Sequence, residues 1–232
     1  DDYNADFRSA FGMGKDDLVF LQATRILDRK GIEMAIDTVA QVDTPARRKA
    51  LGGAATAAGG RFGAGSKIIL LCAGIVETIG ISGDYWGALQ AHAKEQRVDM
   101  RHVGDRVGHS RKTGALGEKV YSLWDSYVQA DFVTYPSTWE GWGNQFIEAV
   151  FAKLPVVVFE YPVWQSDLKE AGFDVVSLGG QIAGKDNRGL VHVDDKIVQR
   201  AADEIVAILT SPQRRREIGQ HNFAIGKQRY SL

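Results

Sequence analysis

Cysteine, proline and long apolar runs are all scarce in this chain. One residue in 232 is cysteine, five are proline, and no apolar run approaches the roughly 20 residues needed to span a bilayer. A lone Cys72 within an apolar run cannot form an internal disulfide and excludes a cysteine-based metal centre. It reads as a buried thiol in a reducing compartment. No signal-peptide pattern opens the chain, so a cytoplasmic location is expected, free or at the cytoplasmic face of a membrane. Charge of one sign is lacking too. The formal net charge is −1 and no basic run is longer than the three residues Arg214 to Arg216, which gives no footprint for nucleic acid.

Several catalytic signatures are also missing. No G-x-G-x-x-G follows the first strand, which argues against a nicotinamide cofactor. Gly59 to Lys67 (GGRFGAGSK) fails the P-loop spacing, because Ser66 precedes Lys67 and the segment leads into a strand; it reads as a crossover loop. There is no G-x-S-x-G elbow. The five histidines (His92, His102, His109, His192, His221) are scattered without HExxH or other paired spacing, so no metal site is expected.

What is present is an ordinary globular composition, 44% hydrophobic and 25% charged. Six short apolar runs read as strands: 18–23, 67–73, 98–103, 131–135, 154–159 and 173–178. Helical patterns lie between and after them, at 31–42, 46–58, 83–96, 118–130, 161–171, 194–209 and 212–227, with 1–15 polar and ill-defined. In the 118–130 segment Val120, Leu123, Trp124, Tyr127 and Val128 are spaced for burial. Alternation of strand and helix predicts an α/β fold: one Rossmann-like, doubly wound parallel sheet with helices on both faces. Ligands of such sheets bind at the C-terminal ends of the strands.

The richest stretch is Asp131 to Phe159, DFVTYPSTWEGWGNQFIEAVFAKLPVVVF. It reads as strand, acidic-glycine loop, helix and strand. Gly141 and Gly143 bracket Trp142, so the backbone there can turn sharply and be approached closely. The helix start at Asn144 leaves free N–H groups over the strand ends. Glu140 lies in the loop and Glu148, eight residues on, lies in the helix; both carboxylates suit hydroxyl groups. After the first strand, Arg25 and Lys30 stand five residues apart. After the third, Gly104 to Val107 forms a turn.

The frame P-S-x-x-E-G-x-G, with a second Glu eight residues after the first, resembles the donor-site signature of retaining glycosyltransferases of the GT-B fold. The resemblance covers nearly the whole chain, densest at 18–31 and 131–159. It implies that the chain is the C-terminal half of such an enzyme, residues 1–232 forming the donor domain with the N-terminal acceptor-binding domain absent. It implies a nucleoside diphosphate sugar as donor and hexosyl transfer to an acceptor hydroxyl. Protein cations would do the work of a metal, so no cofactor is expected, and the isolated chain would be inactive. Arg25 and Lys30 would reach the diphosphate and Glu140 the sugar, helped by the Gly141, Trp142, Gly143 and Asn144 loop. Glu148 would take the ribose, and Arg106 and Val107 would meet the base mainly through backbone. The polar 108–116 segment is longer than usual for that family, an insertion or a mobile loop. Residues 229–232 resemble the start of a helix crossing back to the absent domain. Two alternatives stay open: a GT-B-like sugar phosphorylase, and a non-catalytic Rossmann-like binding domain.

Overall fold

The computed structural model describes residues 2–77 and 84–230. Along the chain run α1 (Phe7–Ala10), β1 (Leu18–Gln22), α2 (Ile32–Val42), α3 (Pro45–Leu51), β2 (Ile68–Cys72), α4 (Tyr85–Glu95) and β3 (Asp99–His102). Three short strands follow: β4 (Val107–Gly108), β5 (Lys112–Thr113) and β6 (Lys119–Ser122). Then come α5 (Leu123–Tyr127), β7 (Phe132–Tyr135), α6 (Asn144–Phe151), β8 (Val156–Val158) and β9 (Val176–Ser177). A hairpin of β10 (Gly184–Lys185) and β11 (Val191–His192) precedes α7 (Asp195–Thr210) and α8 (Pro212–Tyr230).

All six expected strands form, trimmed at their ends. They make one parallel sheet in the order β3-β2-β1-β7-β8-β9. LVFLQ, IILLC, FVTY and VVV are buried at every position, as continuous apolar runs in a two-sided parallel sheet should be. Among the helices around the sheet, α2 buries Ile32, Ala35, Ile36 and Val39 and packs on α4 and α7, while α6 packs on α8. Strand order reverses between β1 and β7, the switch point at whose strand ends such sheets bind ligands. Burial pushes the Cys72 thiol up to about 12, which fits an inert structural thiol.

Four local expectations change. The 118–130 helix is instead β6 followed by α5, because the Ser122–Asp125 capping box starts the helix only at Leu123. Trp124 and Val128, spaced for burial in a longer helix, are consequently exposed. The 108–116 segment, expected as an insertion or a mobile loop, carries the short strand β5, which pairs antiparallel with β6. The 46–58 helix stops at Leu51, ahead of two glycines. Arg229 and Tyr230 do not begin a new helix, since α8 runs continuously to Tyr230; residues 231–232 lie outside the described residues, as does Gly83, the expected start of α4.

Asp131, at the head of β7, ties four segments together although it is fully buried. Its carboxylate accepts from Val19 N (2.9 Å) and Ala57 N (2.6 Å) and faces Arg215 (3.4 Å) and Arg8 (3.8 Å). Burial pushes its pKa up, against the pull of Arg215. Replacing it leaves the buried Val19 N–H, the part-buried Ala57 N–H and the charges of Arg8 and Arg215 without their carboxylate. Asp131→Ala is expected to lower unfolding stability by about 3–4 kcal/mol, read as a shift in the urea midpoint with an unchanged slope.

Candidate functional site

The loop after β1 is built to lie against the loop after β7. A single 3-10 turn, Asp28–Lys30, ends in Gly31 at φ 59°, from which α2 starts. A Cβ on Gly31 would run into the Pro136 carbonyl, so only glycine allows this approach. Thr138 N donates to Arg29 O at 2.8 Å and clamps the two loops.

Across this seam Lys30 meets Glu140. The lysine side chain is 3% exposed, and its ammonium donates directly to the Glu140 carboxylate. Arg29 holds the other oxygen at 2.9 Å and also donates to Trp139 O at 3.0 Å. Burial lowers the Lys30 pKa, partly offset by Glu140. For Glu140 burial works upward, but Lys30, Ser137 and Arg29 outweigh it and hold the carboxylate below its usual range. Behind the pair, the hydroxyls of Tyr135, Ser137 and Tyr161 are buried without a well-formed hydrogen bond. Gly143 (φ 91°) caps α6 directly over them, and a Cβ there would sit 2.7 Å from the Tyr161 hydroxyl.

A cavity of about 470 Å³ opens beside this seam, a size that takes a small-molecule ligand. Arg25, Val107 and Glu148 line it together with Gly74, Trp124 and Gln145. Arg25 is half exposed and pairs with Glu77. Glu148 accepts from the Tyr127 hydroxyl at 3.0 Å; burial raises its pKa, and Tyr127 works against that. Lys30 and Glu140 are not in the cavity wall but form the adjoining unit. Gly141, Trp142 and Asn144 are exposed along the loop between, with Trp142 edge-on to Tyr230 of α8 at 5.4 Å. The Arg106 side chain turns elsewhere: it donates to Lys119 O and lies over Phe11 and Tyr121 at 5.2 and 5.8 Å.

A second cavity, about 370 Å³, lies on the far side of the Asp28–Lys30 turn, lined among others by Arg29, Glu33, Tyr85, Lys185 and Arg188. Its outer wall is the β10–β11 hairpin, formed within the Gly-rich, polar stretch 179–193. Sequence reasoning also missed Glu77, Tyr127 and the wall position of Trp124. Helical periodicity marks Tyr127 and Trp124 only as positions for burial and gives no sign of Glu77, because the contacts of all three depend on a loop or a helix start. The fold further gathers Asp37, His92 and His192 into one cluster, although the histidines lie far apart in sequence.

The Lys30–Glu140 pair carries a stability prediction. Glu140→Gln strands a buried ammonium and should cost about 3 kcal/mol at neutral pH. The folded Glu140 pKa lies below the ordinary 4.5, so its stabilisation is complete above that value and is lost as pH falls below it. The acid limb of a pH–stability curve should therefore be steeper below pH 4.5 for the unaltered chain than for Glu140→Gln; parallel limbs would disprove the pairing.

No protein-family model matches the chain. Among curated proteins it is 37% identical, over 100% of its own length, to the mannosylglucosylglycerate synthase of Petrotoga mobilis, covering 51% of that protein. It is 41% identical over 93% of its length to the Thermotoga maritima protein of the same name, covering 46% of it. The chain thus spans about half the length of the curated relatives it matches. Among solved structures, the C-terminal domain of the group 1 glycosyl transferase LpcC from Francisella tularensis aligns with a TM-score of 0.58 at 14% identity, over 97% of this chain and 91% of that one. Anabaena HepE, solved with UDP and glucose, aligns with a TM-score of 0.58 at 18% identity, over 98% of this chain and 48% of that one. These two likenesses speak to fold alone. The chain is thus similar along its length to about half of two mannosylglucosylglycerate synthases, and its fold matches that of GT-B glycosyltransferase domains.

Proposed function

We propose that the chain is the nucleotide-sugar-binding half of a retaining glycosyltransferase, one that moves a hexose from a nucleoside diphosphate donor to an acceptor hydroxyl. The observation that supports this best is the shared cavity of Arg25, Val107 and Glu148 at the strand-order reversal, with Lys30 and Glu140 adjoining it. In this reading the nucleotide occupies the cavity. Trp124 offers an aromatic wall to the base and Val107 a backbone edge. Glu148, a half-buried carboxylate held by Tyr127, accepts the ribose hydroxyls.

The diphosphate then lies toward Arg25 and Lys30. Arg25 exchanges Glu77 for phosphate oxygens, using its planar fork. Lys30 supplies a point charge from a desolvated position, where it stabilises the negative charge that grows on the leaving diphosphate. Glu140, locked between Lys30 and Arg29, accepts hydroxyls of the transferred sugar, with the free N–H groups at the start of α6 beside it. The bond from the sugar to the diphosphate breaks, the acceptor oxygen bonds to the same carbon on the same face, and the acceptor hydroxyl's proton passes to the departing diphosphate. Protein cations carry the charge that a metal would otherwise neutralise. The name of the two relatives points to hexosyl transfer onto an acceptor containing glycerate. Groups that hold the acceptor would come largely from an N-terminal domain.

Titration calorimetry with UDP, GDP and ADP, on this chain and on a full-length protein, tests the reading. One diphosphate should bind selectively. Glu148→Ala and Arg25→Ala should each weaken it by about 2 kcal/mol, roughly thirtyfold. Absence of binding by both proteins, or unchanged dissociation constants in both variants, would overturn it.

A further inference from the structure

Two histidines from distant parts of the chain converge on one carboxylate. Asp37, on α2, places Oδ1 2.5 Å from His92 Nε2 on α4 and Oδ2 2.8 Å from His192 Nδ1 on β11. The partners lie 55 and 155 residues from Asp37 in sequence, so no local motif produces the cluster. The imidazole centroids are 5.4 Å apart at 58°, and a ligand atom from each of the three residues falls within 4.8 Å of the others. His92 is 4% exposed, and its remaining nitrogen, Nδ1, is buried without a partner. Its polar contact is thus confined to this cluster. The His192 side chain is 30% exposed and leaves a path from solvent.

We propose that Asp37, His92 and His192 form a binding site for a divalent transition metal of the zinc class. Two imidazole nitrogens and a carboxylate are the donor set that zinc and its neighbours prefer, whereas calcium and magnesium seek oxygen alone. Three ligands from three elements leave a fourth position open toward solvent on the His192 side. Around zinc, bonds of about 2.0–2.1 Å set ligand atoms about 3.3 Å apart in a tetrahedron. The metal-free contacts are shorter, so the imidazoles open slightly as the ion displaces the protons they share with Asp37.

The site sits outside the nucleotide cavity, and its role is to brace. It joins α2, α4 and the β10–β11 hairpin, the wall of the second cavity. One turn before Asp37, Glu33 accepts from Val191 N at 2.9 Å and from the Tyr85 hydroxyl at 2.5 Å. The hairpin therefore keeps an anchor when His192 is replaced, which makes the cluster testable by mutation.

The test uses chelator-treated protein titrated with zinc and, separately, cobalt. A single equivalent of zinc should bind and raise the Tm, and cobalt should give the visible absorption of a four-coordinate nitrogen–oxygen site. His192→Ala and Asp37→Asn should each weaken zinc binding by at least about tenfold, the scale seen even when only the outer shell of a metal site is changed. His221→Ala, whose imidazole contacts Gly172 O, should bind like the parent. Circular dichroism of both cluster variants checks that the fold survives. No saturable zinc uptake by the parent, or parent-like uptake by a folded His192→Ala, overturns the proposal and leaves a purely hydrogen-bonded clamp.

Discussion

The buried pair between Lys30 and Glu140 is the constraint around which the crevice is arranged. A lysine 3% exposed cannot keep its charge without a partner, and its partner arrives from a loop 110 residues away. The loops after β1 and β7 must therefore meet, and Gly31 is the residue that lets them. Its left-handed backbone and missing side chain bring the Lys30 turn onto the Pro136 carbonyl. The clamp from Thr138 to Arg29 and the arginine on the second Glu140 oxygen follow from the same approach. Removal of any one of these parts loosens the others, because all of them share the seam.

That seam also organises the chemistry on either side of it. On one side, the cavity of Arg25, Val107 and Glu148 combines a half-exposed cation, a backbone edge and a half-buried carboxylate. Each would be an ordinary surface group elsewhere. On the other, the second cavity is walled by a hairpin whose position depends on Glu33 and Asp37, two acids one turn apart on α2. A helix that starts at the seam thus carries its geometry outward, and the histidine cluster is where that helix is fastened to α4 and β11.

Strands were legible because burial on both faces demands unbroken apolar runs, and helices such as α2 because one apolar face repeats at helical spacing. The acidic-glycine frame was legible as a loop opening a helix, and Arg25 and Glu148 as charges on such loops and helices. The 118–130 segment misled because apolar residues at helical spacing also fit a short strand followed by a capped turn. Only the Ser122–Asp125 reciprocity decides between them. Trp124 changed from an expected buried residue to part of a cavity wall for this reason. Histidines read as unrelated, since pairwise spacing carries no sign of contacts made across 55 and 155 residues.

By itself, then, the sequence determined the α/β alternation, the six strands and the loops that bear charge, because these depend on hydrophobic period and on local turn chemistry. Only the tertiary structure decided which charges face one another. Lys30 pairs with Glu140 whereas Arg25 pairs with Glu77, Arg106 lies on aromatic rings away from the cavity, and Asp37 gathers two histidines. Those outcomes depend on strand order and loop approach, and both are settled by packing the whole sheet.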